Sequence, residues 1–84
     1  MTASTGGMVR ALSPGNQAGQ RIRARRRSLE LTQADLAQRI GVSRQTVITM
    51  ERGDYAPSVY LALRVARTLD TTVELLWAED PGQD

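Results

Sequence analysis

Two helix starts and a helix stop are crowded into the stretch Thr32-Gln33-Ala34-Asp35-Leu36-Ala37-Gln38-Arg39-Ile40-Gly41-Val42-Ser43. Thr32 and Asp35 stand three apart, as in a capping box with Asp in place of the usual Glu or Gln. The Thr hydroxyl can accept from an orphan amide, and the carboxylate suits the positive end of a helix. Leu36, Ala37 and Ile40 then make an apolar stripe, and Gly41 is placed to take the left-handed conformation that ends it. Val42 is apolar again, and Ser43 caps a further helix from Arg44 to Arg52, with Val47 and Met50 inward and Gly53 as its stop. A chain with this punctuation forms two short helices joined by a tight turn.

The flanking segments supply the other elements of one domain. Asn16 to Leu29 reads as a helix capped by Asn16, with Ala18, Ile22 and Leu29 recurring at spacings of four and seven, and Arg26 on the same stripe. Asp54-Tyr55-Ala56-Pro57 is a loop, with Pro57 at or near the start of a fourth helix and Ser58 as its cap. Leu61, Ala62, Val65, Ala66 and Leu69 are that helix's buried stripe. Thr71 or Thr72 caps a last short helix carrying Val73, Leu76 and Trp77. Residues 1–15 are rich in Gly, Ser, Thr and Pro and read as a flexible arm, 16–78 as the folded domain, and 79–84 as a fraying acidic tail. There is neither strand signal nor internal repeat. The expected fold is all-α: five short helices around one core, the second and third forming a helix-turn-helix.

Composition narrows function by exclusion. The 84 residues include no His and no Cys, and all 11 basic residues are Arg. Zinc fingers, haem ligation by His or Cys, thiol catalysis and Ser-His-Asp triads are therefore out. The missing Lys removes a phosphate-binding loop of the Walker type and Schiff-base chemistry. Paired acids such as Glu79-Asp80 sit in the expected tail, where no pocket can raise a carboxylate's pKa. The expectation is no enzyme, no metal and no cofactor. Apolar runs such as Val59-Tyr60-Leu61-Ala62-Leu63 and Leu75-Leu76-Trp77-Ala78 are far short of the ~20 residues that span a bilayer. The N-terminus lacks a signal peptide's apolar core. A cytoplasmic protein is expected, without a membrane partner.

Charge is unevenly spread. Residues 1–31 hold six Arg (10, 21, 23, 25, 26, 27) and one acid, Glu30, whereas 32–84 hold five Arg and eight acids. The run Arg21-Ile22-Arg23-Ala24-Arg25-Arg26-Arg27 can bind phosphate or be a solvated helix face. Helical steps of two place neighbours about 200° apart, so Arg21, Arg23 and Arg25 cannot share one face.

The paired helices point to DNA. A second helix enters a major groove when a small residue lies where the helices cross (Ala37), glycine and an apolar residue make the turn, and the outward face is polar near its start. That face reads Arg44, Gln45, Thr46, Thr49. The run from Thr32 to Val47, ending in Glu51-Arg52-Gly53, resembles the Xre/Cro (phage-repressor-like) helix-turn-helix family. Tyr55-Ala56-Pro57-Ser58-Val59 through Leu75-Leu76-Trp77 is similar to its compact, stand-alone bacterial members, so the resemblance covers about residues 18–78. It implies a lambda-repressor-like DNA-binding domain and a transcriptional regulator, a repressor on the leading reading, working as a dimer on a palindromic operator and nucleoid-associated when bound.

The resemblance also implies roles for individual residues. Gln33 would touch phosphate or the groove edge, Ser43 would cap the reading helix and touch phosphate, and Arg44, Gln45 and Thr49 would face bases with Thr46 near the backbone. Chemistry agrees, since Arg reads guanine and Gln adenine bidentately. Arg26 and Glu51 match a structural ion pair of the family. Arg25 stands where relatives usually carry an apolar residue, often Leu, and Glu30 where Gly is common. A single module reads a half-site, so a homodimer is expected at least on DNA, with Val73, Leu76 and Trp77 as the contact. The alternative is an antitoxin-like or other protein-interaction module, using the acidic tail and the last helix to hold a protein partner.

Overall fold

The computed structural model describes residues 14–78. Within them the chain forms α1 (Pro14–Ser28), α2 (Gln33–Ile40), α3 (Arg44–Glu51), α4 (Val59–Thr68) and α5 (Val73–Leu76). The architecture is all-helical, as expected, with no strand among the described residues. The expected tail, and the expected arm up to residue 13 with Arg10, lie outside the described residues. Pro14 and Gly15 are already helical, so α1 starts two residues before its expected cap and Asn16 lies in its first turn. Proline suits that start because the amide it lacks would have had no partner within the helix.

The helix starts are set locally. Thr32 Oγ1 accepts from the Asp35 amide at 2.9 Å, and Asp35 Oδ2 accepts from the Thr32 amide at 2.9 Å, completing the capping box. The Thr32 backbone bond first, then the Thr32 side-chain bond, with the nearby Arg39 charge adding to them, hold the Asp35 carboxyl below its ordinary pKa. Ser43, Ser58 and Thr72 cap α3, α4 and α5 in the same way, each hydroxyl oxygen accepting from the amide three residues on at 3.1 Å.

Four of the helices close with one motif, a left-handed residue whose successor's amide reaches back five positions. Leu31 donates to the Arg26 carbonyl at 3.1 Å, Val42 to Ala37 at 3.0 Å, Asp54 to Thr49 at 2.9 Å and Thr71 to Ala66 at 2.9 Å. The left-handed residues are Gly41 (φ 78°) and Gly53 (φ 84°), but also Glu30 (φ 62°) and Asp70 (φ 58°). The glycines accept that conformation freely, whereas a side chain there costs roughly 1–2 kcal/mol. The reversal at Glu30 corrects one core expectation. Leu29 falls beyond the end of α1 and is 39% exposed, and Leu31, after the turn, packs on the core instead.

Ile22, Leu36, Ile40, Val47, Val65 and Leu69 are wholly buried at the centre, joined by Ala37, Met50, Leu61, Ala66 and Leu76. Burial of each larger side chain contributes about 1.5–3 kcal/mol. Where α1 crosses α3 the backbones nearly touch: a Cβ on Gly19 would lie 2.3 Å from the Glu51 carbonyl oxygen and 2.7 Å from that of Met50. Ala37 was the small residue expected at a tight crossing, and Gly19 is a second.

Arginines close what the turns leave open. Arg21 donates to the carbonyls of Leu76 (3.2 Å) and Ala78 (2.7 Å) at the end of α5. Arg25 donates to those of Leu69 (2.8 Å) and Asp70 (3.1 Å) at the end of α4, and Arg64 to that of Ile40 (3.0 Å) at the end of α2. A guanidinium meets the negative end of a helix dipole favourably at each of these places. Arg25 thus ties α1 to α4 through main-chain carbonyls.

Candidate nucleic-acid interface

The outward face of α3 is built by what its other face buries. Val47, Met50 and Glu51 turn inward, which leaves Arg44 and Gln45 exposed at the first two helical positions. Gln45 and Thr49 are four apart and share a row, and Arg44 and Ile48 form the neighbouring row. Among the described residues neither Arg44 nor Gln45 has a hydrogen bond or ion pair from its side chain within the chain, so both heads are free to reach outward. Arg44 sits at the positive end of the α3 dipole, where a cation opposes stability and an anion is welcome.

The remaining positions are partly engaged. Ser43 is exposed, its hydroxyl 3.0 Å from that of Thr46 and accepting from the Thr46 amide. Thr49 donates its hydroxyl proton to the Thr46 carbonyl at 2.9 Å, which leaves it a methyl group and an acceptor lone pair to offer. Gln33, the first residue of α2, donates from Nε2 to Glu51 Oε1 at 3.2 Å, keeping its amide oxygen and a second N–H available. Arg26 and Glu51 meet under this surface, Nε to Oε2 at 2.6 Å and Nη2 to Oε1 at 3.2 Å, with both side chains nearly buried. Arg26 also donates to the Leu31 carbonyl at 2.7 Å. The two residues therefore fix the position of Gln33 against the end of α3.

The arginine run divides by helical position. Arg21, Arg25 and Arg26 are held by carbonyls or Glu51, while Arg23 and Arg27 are exposed and line a cleft with Arg44 and Arg52. Sequence reasoning did not single out Arg23 and Arg27, although their spacing of four was a usable signal.

The three residues named for a dimer contact lie on α5 and at its C-terminal cap. Leu76 is 3% exposed and belongs to the core, and Val73 and Trp77 are half-buried against it. Leu75 is what α5 shows to solvent, at 64% exposure.

A helix pair locked by caps, with a short turn and a free polar row on the second helix, defines a helix-turn-helix module. The family model described as Helix-turn-helix matches residues 22–76, and the chain belongs to that family, in its Xre-like, phage-repressor-type branch. It is 56% identical over 48 residues to an HTH-type transcriptional regulator of Methanothermobacter thermautotrophicus, covering 57% of this chain and 70% of that one. It is 38% identical over 60 residues to an HTH-type transcriptional regulator of Archaeoglobus fulgidus, covering 71% of this chain and 84% of the relative. Among solved structures, it superposes on the P22 c2 repressor protein in complex with a synthetic operator with a TM-score of 0.72 and 33% identity, over 75% of this chain and 96% of that one.

Proposed function

We propose that the chain is a DNA-binding helix-turn-helix transcriptional regulator that recognises a specific sequence and acts as a repressor by occupying promoter DNA. It inserts α3 into the major groove and binds as a dimer on a palindromic operator. The observation that carries this reading is the pair Arg44 and Gln45, exposed and unengaged within the described residues at the start of a helix otherwise fully anchored. Arg reads guanine O6 and N7, and Gln reads adenine N6 and N7, each good pair contributing about 1–3 kcal/mol of discrimination. Thr49, with its hydroxyl proton already given to its own helix, meets a thymine methyl or a base N–H. Gln33 and Ser43 anchor phosphates on either side. The 33% identity to a repressor solved with operator DNA supports the same docking. The function needs no catalysis, metal or cofactor, and no helix among the described residues is long and apolar enough to cross a membrane.

A selection from random duplex DNA tests it, followed by titration of the winning site against an Arg44→Ala/Gln45→Ala variant. The expected outcome is an enriched site with two-fold symmetry, bound at two chains per duplex, whose advantage over random DNA collapses in the variant. A flat selection, with only salt-sensitive binding that the variant retains, overturns the reading.

A second reading has its own observation. Val59, Tyr60 and Leu63, spaced to neighbour one another on the first turns of α4, are exposed apolar residues, with Tyr60 79% and Val59 72% exposed. Clustered aromatic and aliphatic exposure of this kind serves protein contacts, which favours an interaction module with DNA binding as a second task. Tyr60→Ser/Val59→Ser separates the two readings: a regulator binds its site unchanged, whereas an interaction module loses its protein complex.

A further inference from the structure

We infer that α1 carries a phosphate clamp of its own. Arg23 and Arg27 of α1, which line one cleft with Arg44 at the start of α3 and Arg52 just past its end, bind DNA backbone phosphates beside the groove that α3 enters. The inference rests on the proposed DNA-binding reading and adds a contact outside the helix-turn-helix.

The cleft, of about 810 Å³, lies between the second half of α1, the α1–α2 turn, the start of α2 and the outer side of α3. Arg23 and Arg27 are four apart and therefore on one face of α1. Arg44 opens α3 and Arg52 is the cap residue just past its end, so the two stand at opposite ends of that helix. Among the described residues Arg23, Arg27 and Arg44 have no acidic partner within 4.0 Å, and Arg52 meets only Asp54 at 3.8 Å, with both side chains more than half exposed. Two carboxylates line the cleft. Glu51 is already neutralised by Arg26, and Glu30 forms no ion pair with a described residue. The five arginines that line the cleft outnumber its two carboxylates, leaving an excess of positive charge on a concave surface, an arrangement that repels itself in the free protein and is relieved by an anion.

The choice of arginines strengthens the case. In the same run, Arg21 and Arg25 are spent on the carbonyls that end α5 and α4. The arginines left over are those turned toward the side of α3 that also bears Arg44. A nucleic-acid backbone is the occupant that fits, because it supplies several phosphates in a row beside the helix that reads bases, and Arg matches phosphate in bidentate geometry.

The test compares Arg23→Gln/Arg27→Gln with Arg39→Gln/Arg67→Gln, which removes the same charge from two exposed arginines outside the cleft. Both are titrated on the selected site and on random DNA across a salt series. The clamp variant should weaken both, keep the specific-to-random ratio per bound chain, and flatten the slope of log affinity against log salt by about two for each chain bound. The control pair should leave the slope closer to the parent's. On a duplex with neutral methylphosphonates introduced one at a time, the parent should lose affinity at one or two linkages to which the clamp variant is indifferent.

At low salt the free clamp variant should melt no lower than the parent, since repulsion has been removed. Equal slopes for the two variants, or no linkage that discriminates parent from variant, overturn the inference. Failure of the selection itself, with no enriched site for any protein, counts instead against the proposed function, and the salt slopes on random DNA still decide the clamp.

Discussion

At Glu30 a side chain occupies a backbone conformation that favours glycine, with φ at 62° in the turn that closes α1. Relief of the left-handed strain gives roughly 1–2 kcal/mol, and the added freedom of the unfolded chain takes back about 0.4–1 kcal/mol. Glu30→Gly should therefore raise stability by about 0.5–1 kcal/mol, while Glu30→Ala, which keeps the Cβ, should not; urea denaturation of the three proteins checks this. The same substitution removes the uncompensated acid of the arginine cleft. Asp35 carries the clearest pH dependence. Its carboxyl is held below the ordinary carboxylate pKa by the Thr32 hydrogen bonds, so its contribution is present above the unfolded-state pKa and is lost as pH falls through the lowered folded value. Asp35→Asn should be less stable than the parent near neutrality and lose less on acidification, so that urea midpoints measured from pH 6 down to pH 2.5 converge.

At the scale of elements, starts were more legible than ends. Thr32, Ser43 and Ser58 cap the helices expected of them because a cap acts over three residues, a distance that sequence displays directly. Gly41 and Gly53 were legible as stops for the same reason. Glu30 and Asp70 were not, since both turn left-handed against their own preference, Glu30 in a turn whose next residue, Leu31, packs on the core, and Asp70 under a contact remote in sequence. Arg25, which grips the carbonyl of Asp70, lies 45 positions away. The arginine clamps on α2, α4 and α5 are all of this long-range kind, and the run that makes two of them read equally well as a phosphate-binding stripe. The row Arg44, Gln45, Thr49 was legible because burial of Val47 and Met50 fixes the opposite face. The hydrogen bond of Gln33 to Glu51 was not, because it needs three elements in place. Gly19 is the missed position of largest consequence. A glycine inside a helix costs about 1 kcal/mol against Ala, so its presence signals a compensating close approach. Gly19→Ala would gain that propensity but drive a methyl group into the carbonyls of Met50 and Glu51. A net loss of about 3 kcal/mol is expected, at the upper end for overpacking because the obstacle is backbone. The loss should appear in urea denaturation, together with weakened DNA binding as the end of α3 is pushed aside.

Across the whole molecule, stability and recognition meet at the Arg26–Glu51 pair. It joins α1, the α1–α2 turn through the Leu31 carbonyl, the end of α3 and, through Gln33, the start of α2. A buried pair of this kind adds little net stability, but removing one partner strands a charge and costs about 3–5 kcal/mol. Arg26→Met alone should therefore destabilise the fold by that amount in urea, and Arg26→Met/Glu51→Leu should recover most of it. If the pair were only structural, the recovered protein would bind DNA as the parent does. The bond between Gln33 Nε2 and Glu51 Oε1 argues otherwise: without the carboxylate, Gln33 must be ordered at the moment of binding, at a cost of about 0.5–1.5 kcal/mol for an immobilised side chain. The double variant should thus be well folded yet bind its selected site several-fold more weakly, and adding Gln33→Ala should weaken it little further, although the same change in the parent costs more. A double variant that binds as tightly as the parent would reduce the pair to a structural link, and one that stays as unstable as Arg26→Met would put the weight on the hydrogen bond from Arg26 to Leu31.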